Sequence, residues 1–221
     1  MGQVSACNFE NRCANGWVNR TFPRLENFVV ERARFRIFLV SIVIGGIFLF
    51  MKRTPVHPIN PHIRNGVVVD FYLNLVRNGG SRRLRRLLEY LLHTEVAGKL
   101  PERLHLPHPY GITVGGTSII GEDVTLMHGC NLGPKDPWYQ GDVREKIHPT
   151  LEEGVYVSMG AMVLGPVTIG AWSVIGANAV VTEDIPPFST VFGHNRILRS
   201  TEGGPPQVKK YLESRKKEIT P

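Results

Sequence analysis

This sequence predicts a mainly β fold, coiled from short parallel strands behind an α-helical region, and three observations lead there. Aliphatic residues recur every sixth position from Val114 onward. A small or β-branched residue falls four positions after most of them, and glycine often follows directly. Upstream, two stretches carry the wider spacing of amphipathic helices.

Composition sets the outer bounds. The 221 residues are 42% hydrophobic and 20% charged, ordinary for a globular chain that can bury a sizeable core. The net charge of +7 is uneven: Lys+Arg against Asp+Glu count 8 to 3 in residues 1–53 and 8 to 4 in 54–110. The counts are 3 to 9 in 111–195 and 7 to 3 in 196–221. An acidic middle without an aromatic-interleaved basic face argues against a nucleic-acid partner. The basic ends beside an apolar segment suit an anionic membrane surface instead. Cys7, Cys13 and Cys130 form neither a metal-ligand spacing nor a disulfide framework, which points to a reducing, cytoplasmic compartment. There the sequon Asn19-Arg20-Thr21 carries no meaning.

Residues 1–53 form an N-terminal extension. Within it, Ile37 to Met51 is fifteen residues without a charge, flanked by Arg34, Arg36, Lys52 and Arg53. As a helix it would span roughly 22 Å, short of the roughly 30 Å hydrocarbon layer. Three readings stay open: an interfacial membrane contact through 35–53, a helix buried in an oligomer, or a short spanning helix.

Residues 54–105 read as the α-helical region. After a Pro-rich connector, "VVVDFYLNLVRN" and "SRRLRRLLEYLL" are two helices parted by Gly79-Gly80, with Ser81 as N-cap. Leu84, Leu87, Leu88, Leu91 and Leu92 make one apolar stripe, and the arginines at 82, 83, 85 and 86 lie largely off it.

Residues 106–198 hold the six-residue period, and 199–221 follow as a basic tail. The anchors are Val114, Ile120, Leu126 and Leu132, then Leu151, Val157, Val163, Ile169, Ile175 and Val181. Four positions on stand Ser118, Val124, Cys130, Val155, Ala161, Val167, Ser173 and Ala179. Neither the helical period nor simple alternation produces this. One flat strand and one tight corner per hexad does, and three hexads close a triangular coil. Each coil then pairs its backbone with the next, as in other solenoids. The period breaks once, because Leu132 and Leu151 stand nineteen positions apart where six would continue. The extra loop carries Trp138 and Tyr139 and ends on His148.

Four passages carry a family resemblance: "LPHPYGITVG" at 106–115, "VTLMHGCNLG" at 124–133, the run from His148 to Val181, and "IPP" at 185–187. In that order they resemble the hexapeptide-repeat acetyltransferases, which fold as a left-handed parallel β-helix. The likeness is nearest to the serine O-acetyltransferase and polysaccharide O-acetyltransferase members. It implies an acetyl-CoA-dependent transfer to a hydroxyl, no metal, and a homotrimer or an assembly of trimers. An alcohol attacks a thioester only as its proton is taken by a base, and the oxyanion formed needs hydrogen-bond donors. By resemblance His108 is that base and His148 the second active-site histidine, the two meeting across a subunit boundary. Glu95 is the matched carboxylate that would orient His108, with Glu102 as the alternative.

The resemblance lays coenzyme A along Gly133, Ser158, Met159, Gly160, Gly176 and Ala177, with Arg196 near its phosphates. Met159 stands where the family commonly has alanine. His128, Trp138 and Tyr139 are the residues expected to meet the acceptor, while His105 is expected to be exposed. Family members that use serine carry Asp and Arg directly before the two histidines; this chain has Pro107 and Ile147. A free amino acid needs charged partners once desolvated, so a sugar of a surface polysaccharide is the expected acceptor, with serine as the alternative. A reading of another class is a carbonic-anhydrase-like metal shared among His108, His128 and His148.

Overall fold

The computed structural model describes residues 52–136, 138–142, 145–200 and 204–219, with 198–200 as backbone only. The apolar segment 37–51, and with it the expected membrane contact, lies outside these residues. Among the described residues no helix is long and apolar enough to cross a membrane. Of the flanking cations, Lys52 pairs with Glu102 and Arg53 with the buried Asp70, each at 2.7 Å.

The six-residue period becomes a rotation of very short strands. β1 (Glu95–Val96) and β2 (Leu104–His105) precede β3 (Thr113–Val114), β4 (Ile119–Ile120), β5 (Val124–Leu126) and β6 (Asn131–Gly133). After the loop come β7 (Thr150–Leu151), β8 (Tyr156–Val157), β9 (Met162–Leu164), β10 (Thr168–Ile169), β11 (Val174–Ile175) and β12 (Val180–Val181). β13 (Ser189–Phe192) and β14 (Arg196–Ser200) close the series. A first sheet takes β1, β3, β6, β9 and β12; a second takes β4, β7 and β10; a third takes β2, β5, β8, β11 and β13. Successive strands from β3 to β12 therefore visit the three sheets in turn. Pairing is parallel and returns after eighteen residues, as in Thr113 with Asn131, Leu151 with Ile169 and Val163 with Val181. Only β14 runs antiparallel, against β13.

All ten anchors point inward, none more than 4% exposed. Ser118, Cys130, Ala161 and the other followers are buried as well, filling the corners. At one edge of the first sheet the corners stack as Tyr110-Gly111, His128-Gly129, Met159-Gly160 and Ala177-Asn178. The N–H groups of Gly129, Gly160 and Asn178 each donate to the carbonyl of the corner below, at 2.8 to 3.0 Å. The second residue of each corner is left-handed, with φ between 55° and 71°. At Gly160 a side chain would also run into Asn178 Oδ1, so glycine is required there on two counts.

Both expected helices form: α1 (Val67–Asn78) ends at left-handed Gly79, and α2 (Arg82–Leu92) is capped by the Ser81 hydroxyl. The stripe on α2 is narrower than expected. Leu88 is buried with Leu84 and Leu92 beside it, but Leu87 and Leu91 are exposed. The reason is that α2 packs mainly on α1 and leaves its outer arc without a neighbour among the described residues. Tyr72 and Leu73 of α1 are fully buried, and the Tyr72 hydroxyl accepts the Val96 N–H at 2.8 Å. Asn65, just before α1, clamps the strand leading to His108: its amide donates to the Leu104 carbonyl at 2.9 Å, and its Oδ1 accepts from Leu106 N–H at 2.6 Å.

The basic tail contains a helix, α3 (Pro206–Ile219). Tyr211 of α3 meets Trp172 edge-on at 5.4 Å, and Arg215 pairs with Glu153. His57 lies 5.0 Å from the His105 ring and 6.4 Å from Trp172. His105 is consequently fully buried, not exposed as expected, with Nε2 3.5 Å from Asp123. Covering by His57 and Asp123, neither adjacent in sequence, is the cause.

Two measurements follow from this packing. His57 has its pKa lowered to about 4 by burial first and by His105 second. The unfolded chain therefore takes up this proton near pH 6.5 while the folded chain resists it until about pH 4. Stability present above pH 6.5 is lost by about 3 kcal/mol as the pH falls to 4, and His57→Asn flattens that slope in denaturant titrations. Gly160→Ala lowers stability by about 1–3 kcal/mol, read as a fall in melting temperature.

Candidate active site

The two edges of the first sheet divide the candidate residues between them. Along the first edge stand His108, His128, Ser158–Gly160 and Gly176–Ala177. His108 is exposed, on a turn whose Tyr110 N–H donates back to the His108 carbonyl at 2.9 Å. The turn is held from below by Thr94, whose hydroxyl donates to the Pro109 carbonyl, and from behind by the Asn65 clamp. The His128 ring, also exposed, lies 6.0 Å from that of His108 at 78°. Ser158 and Gly160 spend their N–H groups on coil stacking. The N–H groups of Met159 and Ala177, at the corner tips, have no partner among the described residues. Exposed His108 thus shares an edge with a file of unpaired backbone donors.

The second edge holds His148. Its ring lies over Gly115, where any Cβ would fall inside the imidazole. Its Nδ1 is 2.7 Å from Thr117 Oγ1 and accepts the Thr117 N–H at 3.3 Å. The same Oγ1 accepts the N–H groups of Ile147 at 3.2 Å and His148 at 3.3 Å. Lys146 donates to the His148 carbonyl at 2.8 Å. Burial, and then the charge of Lys146, lower the His148 pKa below that of a free imidazole. Gly133, at the end of β6, belongs to this edge: its carbonyl accepts the Gly165 N–H at 2.9 Å.

Several expected groupings do not occur within one chain. His108 and His148 make no contact, being separated by the width of the first sheet. Glu95 is exposed on β1 and has no side-chain hydrogen bond to His108 among the described residues, and Glu102 is engaged by Lys52. Trp138 is 82% exposed in the loop, and the Tyr139 hydroxyl bonds Glu145 within that loop. Arg196 is exposed at the start of β14, on the last coil. No three His, Cys, Asp or Glu side chains gather to hold a metal among the described residues. Thr117, Gly115 and Asn65 were missed in the sequence. "VGGT" after an anchor was the available signal for the first two, because a corner with two glycines leaves room for another group.

The chain is similar to several known proteins. Residues 148–183 match the model described as bacterial transferase hexapeptide (six repeats). A serine acetyltransferase of Mycobacterium tuberculosis is 44% identical over 91 residues, covering 41% of this chain and 38% of that protein. One from Helicobacter pylori strain 26695 is 39% identical over 115 residues, covering 51% of this chain and 64% of its own length. The chain therefore spans less than two thirds of the relatives it matches. A solved serine acetyltransferase in complex with cysteine superposes with a TM-score of 0.53 at 27% identity, over 65% of this chain and 58% of that one. The Vibrio cholerae serine acetyltransferase structure gives 0.50 at 25%, over 65% and 57%. The chain is thus similar to serine acetyltransferases, and its stretch 148–183 to the bacterial transferase hexapeptide repeats.

Proposed function

We propose that this protein is an acetyl-CoA-dependent O-acetyltransferase built on a left-handed parallel β-helix. The observation that carries the reading is the first edge, where exposed His108 heads a column of corner N–H groups left open at Met159 and Ala177. An extended amide-bearing arm can bond such a column without bulky side chains intervening, and its thioester end then arrives near a histidine able to take a hydroxyl proton. Ser158, Gly160 and Gly176 shape that channel, and Arg196 stands on the last coil for the phosphates. His128, edge-on to His108, faces the acceptor side.

His148 sits on the opposite edge of the same sheet, so a homotrimer supplies it: one copy's first edge meets the second edge of the next. Gly133 and the loop bearing Trp138 and Tyr139 come with it. Glu95, on the outer side of β1, is the carboxylate proposed to orient His108 once substrate closes the site.

For the acceptor, the similarity to serine acetyltransferases supports serine better than the sugar expected from Pro107 and Ile147. Serine is therefore the acceptor proposed first. A sugar hydroxyl is the second reading, favoured by the missing charges at Pro107 and Ile147 and by Lys146 being engaged with a carbonyl.

Thiol release from acetyl-CoA, measured with serine and with a panel of sugars, decides between them. A serine rate well above every sugar is the expected result, and the reverse selects the second reading. His108→Asn is expected to lower kcat by about a hundredfold or more with the coil still folded by circular dichroism; full activity would defeat the mechanism. Gly115→Ala, which displaces the His148 ring, is expected to cost about a hundredfold in transfer while the melting temperature moves by only a few degrees.

A further inference from the structure

His148 is wired as a hydrogen-bond donor, and the wiring is in Thr117. The Thr117 Oγ1 accepts two backbone N–H groups, from Ile147 and His148, which fill its two lone pairs. Its own O–H is then left for the remaining polar neighbour, His148 Nδ1 at 2.7 Å. The Thr117 backbone N–H is aimed at the same Nδ1 from 3.3 Å. A proton on Nδ1 would face one N–H and one oxygen with no free lone pair, so Nδ1 must be bare. A neutral imidazole then carries its single proton on Nε2. Nε2 lies over the side-chain-free face of Gly115 and has no hydrogen-bond partner among the described residues. Burial and the Lys146 charge oppose a second proton on the ring.

We propose that Thr117 is a positioning residue that locks His148 in the Nε2–H tautomer, so that His148 donates to the reacting oxygen and proton abstraction belongs to His108. The proposal deepens the acetyl-transfer reading and rests on it for its chemical meaning. In the step, the acceptor hydroxyl loses its proton to His108 as its oxygen bonds to the thioester carbonyl carbon. The carbonyl π electrons move onto oxygen, and that oxyanion accepts a hydrogen bond from His148 Nε2–H. Collapse re-forms C=O and breaks the C–S bond, and the departing thiolate takes its proton from His108. A fixed donor aimed at charge that exists only in the transition state raises kcat, not affinity.

The test combines imidazole ¹⁵N NMR of the full chain with steady-state kinetics on Thr117→Ser and Thr117→Val. In the unsubstituted protein and in Thr117→Ser, His148 is expected to show a bare Nδ1 and a protonated Nε2 near neutral pH. Thr117→Val is expected to lose that fixed pattern and to lower kcat about ten- to a hundredfold, with KM for acetyl-CoA nearly unchanged. Thr117→Ser should keep kcat within about threefold of the starting value. An Nδ1–H tautomer in the unsubstituted protein overturns the proposal without any variant. So does a Thr117→Ser enzyme as slow as Thr117→Val, or a Thr117→Val enzyme with unchanged kcat. If the Nε2–H tautomer is found but no hydroxyl acceptor is acetylated, the acetyl-transfer reading fails while the assignment of Thr117 stands.

Discussion

Everything in the described coil depends on eighteen residues closing one three-sided turn, so that each backbone strand meets its successor in parallel register. Backbone N–H and C=O groups must be paired when buried, and here each strand of two or three residues pairs with strands one coil below and above. That leaves no room for a change of length inside a turn. A residue may be added only where it leaves the coil entirely, which is what happens between β6 and β7. The corners inherit the same constraint. Because Gly129, Gly160 and Asn178 all bond to the coil below, their left-handed geometry repeats at each level and forms a straight edge.

Both chemical edges are products of that rigidity. The first edge presents the tips of stacked corners, where alternate N–H groups are consumed by stacking and the rest remain open. The second is the seam where the loop rejoins the coil, and there a glycine corner receives a histidine ring from the returning chain. Backbone pairing fixes the coil at both edges, and side chains then seat the histidines on it: Asn65 and Thr94 hold the turn of His108, and Thr117 holds His148. The helices reinforce this from outside the coil. Asn65 and Tyr72 bond directly to the backbone of the first turns, and α3 seals the third sheet over His57, His105 and Trp172.

The division of labour proposed for the two histidines has a simple electrostatic logic. Acyl transfer needs one group that gains a proton and another that lends one without giving it up. His108 is exposed and free of fixed donors at its ring among the described residues. His148 is partly buried, beside a lysine, with one ring nitrogen facing two donors. Two residues of one type thereby sit in different surroundings, the basis of the two tasks proposed for them.

The period of six, its ten anchors, its single interruption and both helices with the Ser81 cap were legible in the sequence, because inward burial and corner geometry repeat and so leave a periodic trace. The roles proposed for His108 and His148 rest on motif position, and the structure sets the two on opposite edges of the first sheet. What only the tertiary structure decided was non-periodic: the burial of His105 by His57 and Asp123, the exposure of Leu87 and Leu91, the helix in the basic tail, and the Thr117 wiring of His148. Thr117 and His148 lie 31 positions apart and meet because an inserted loop that leaves the coil after Gly133 returns against the corner one coil below. A contact made once, between a loop and a corner, leaves no repeat to read; a contact made at every coil does.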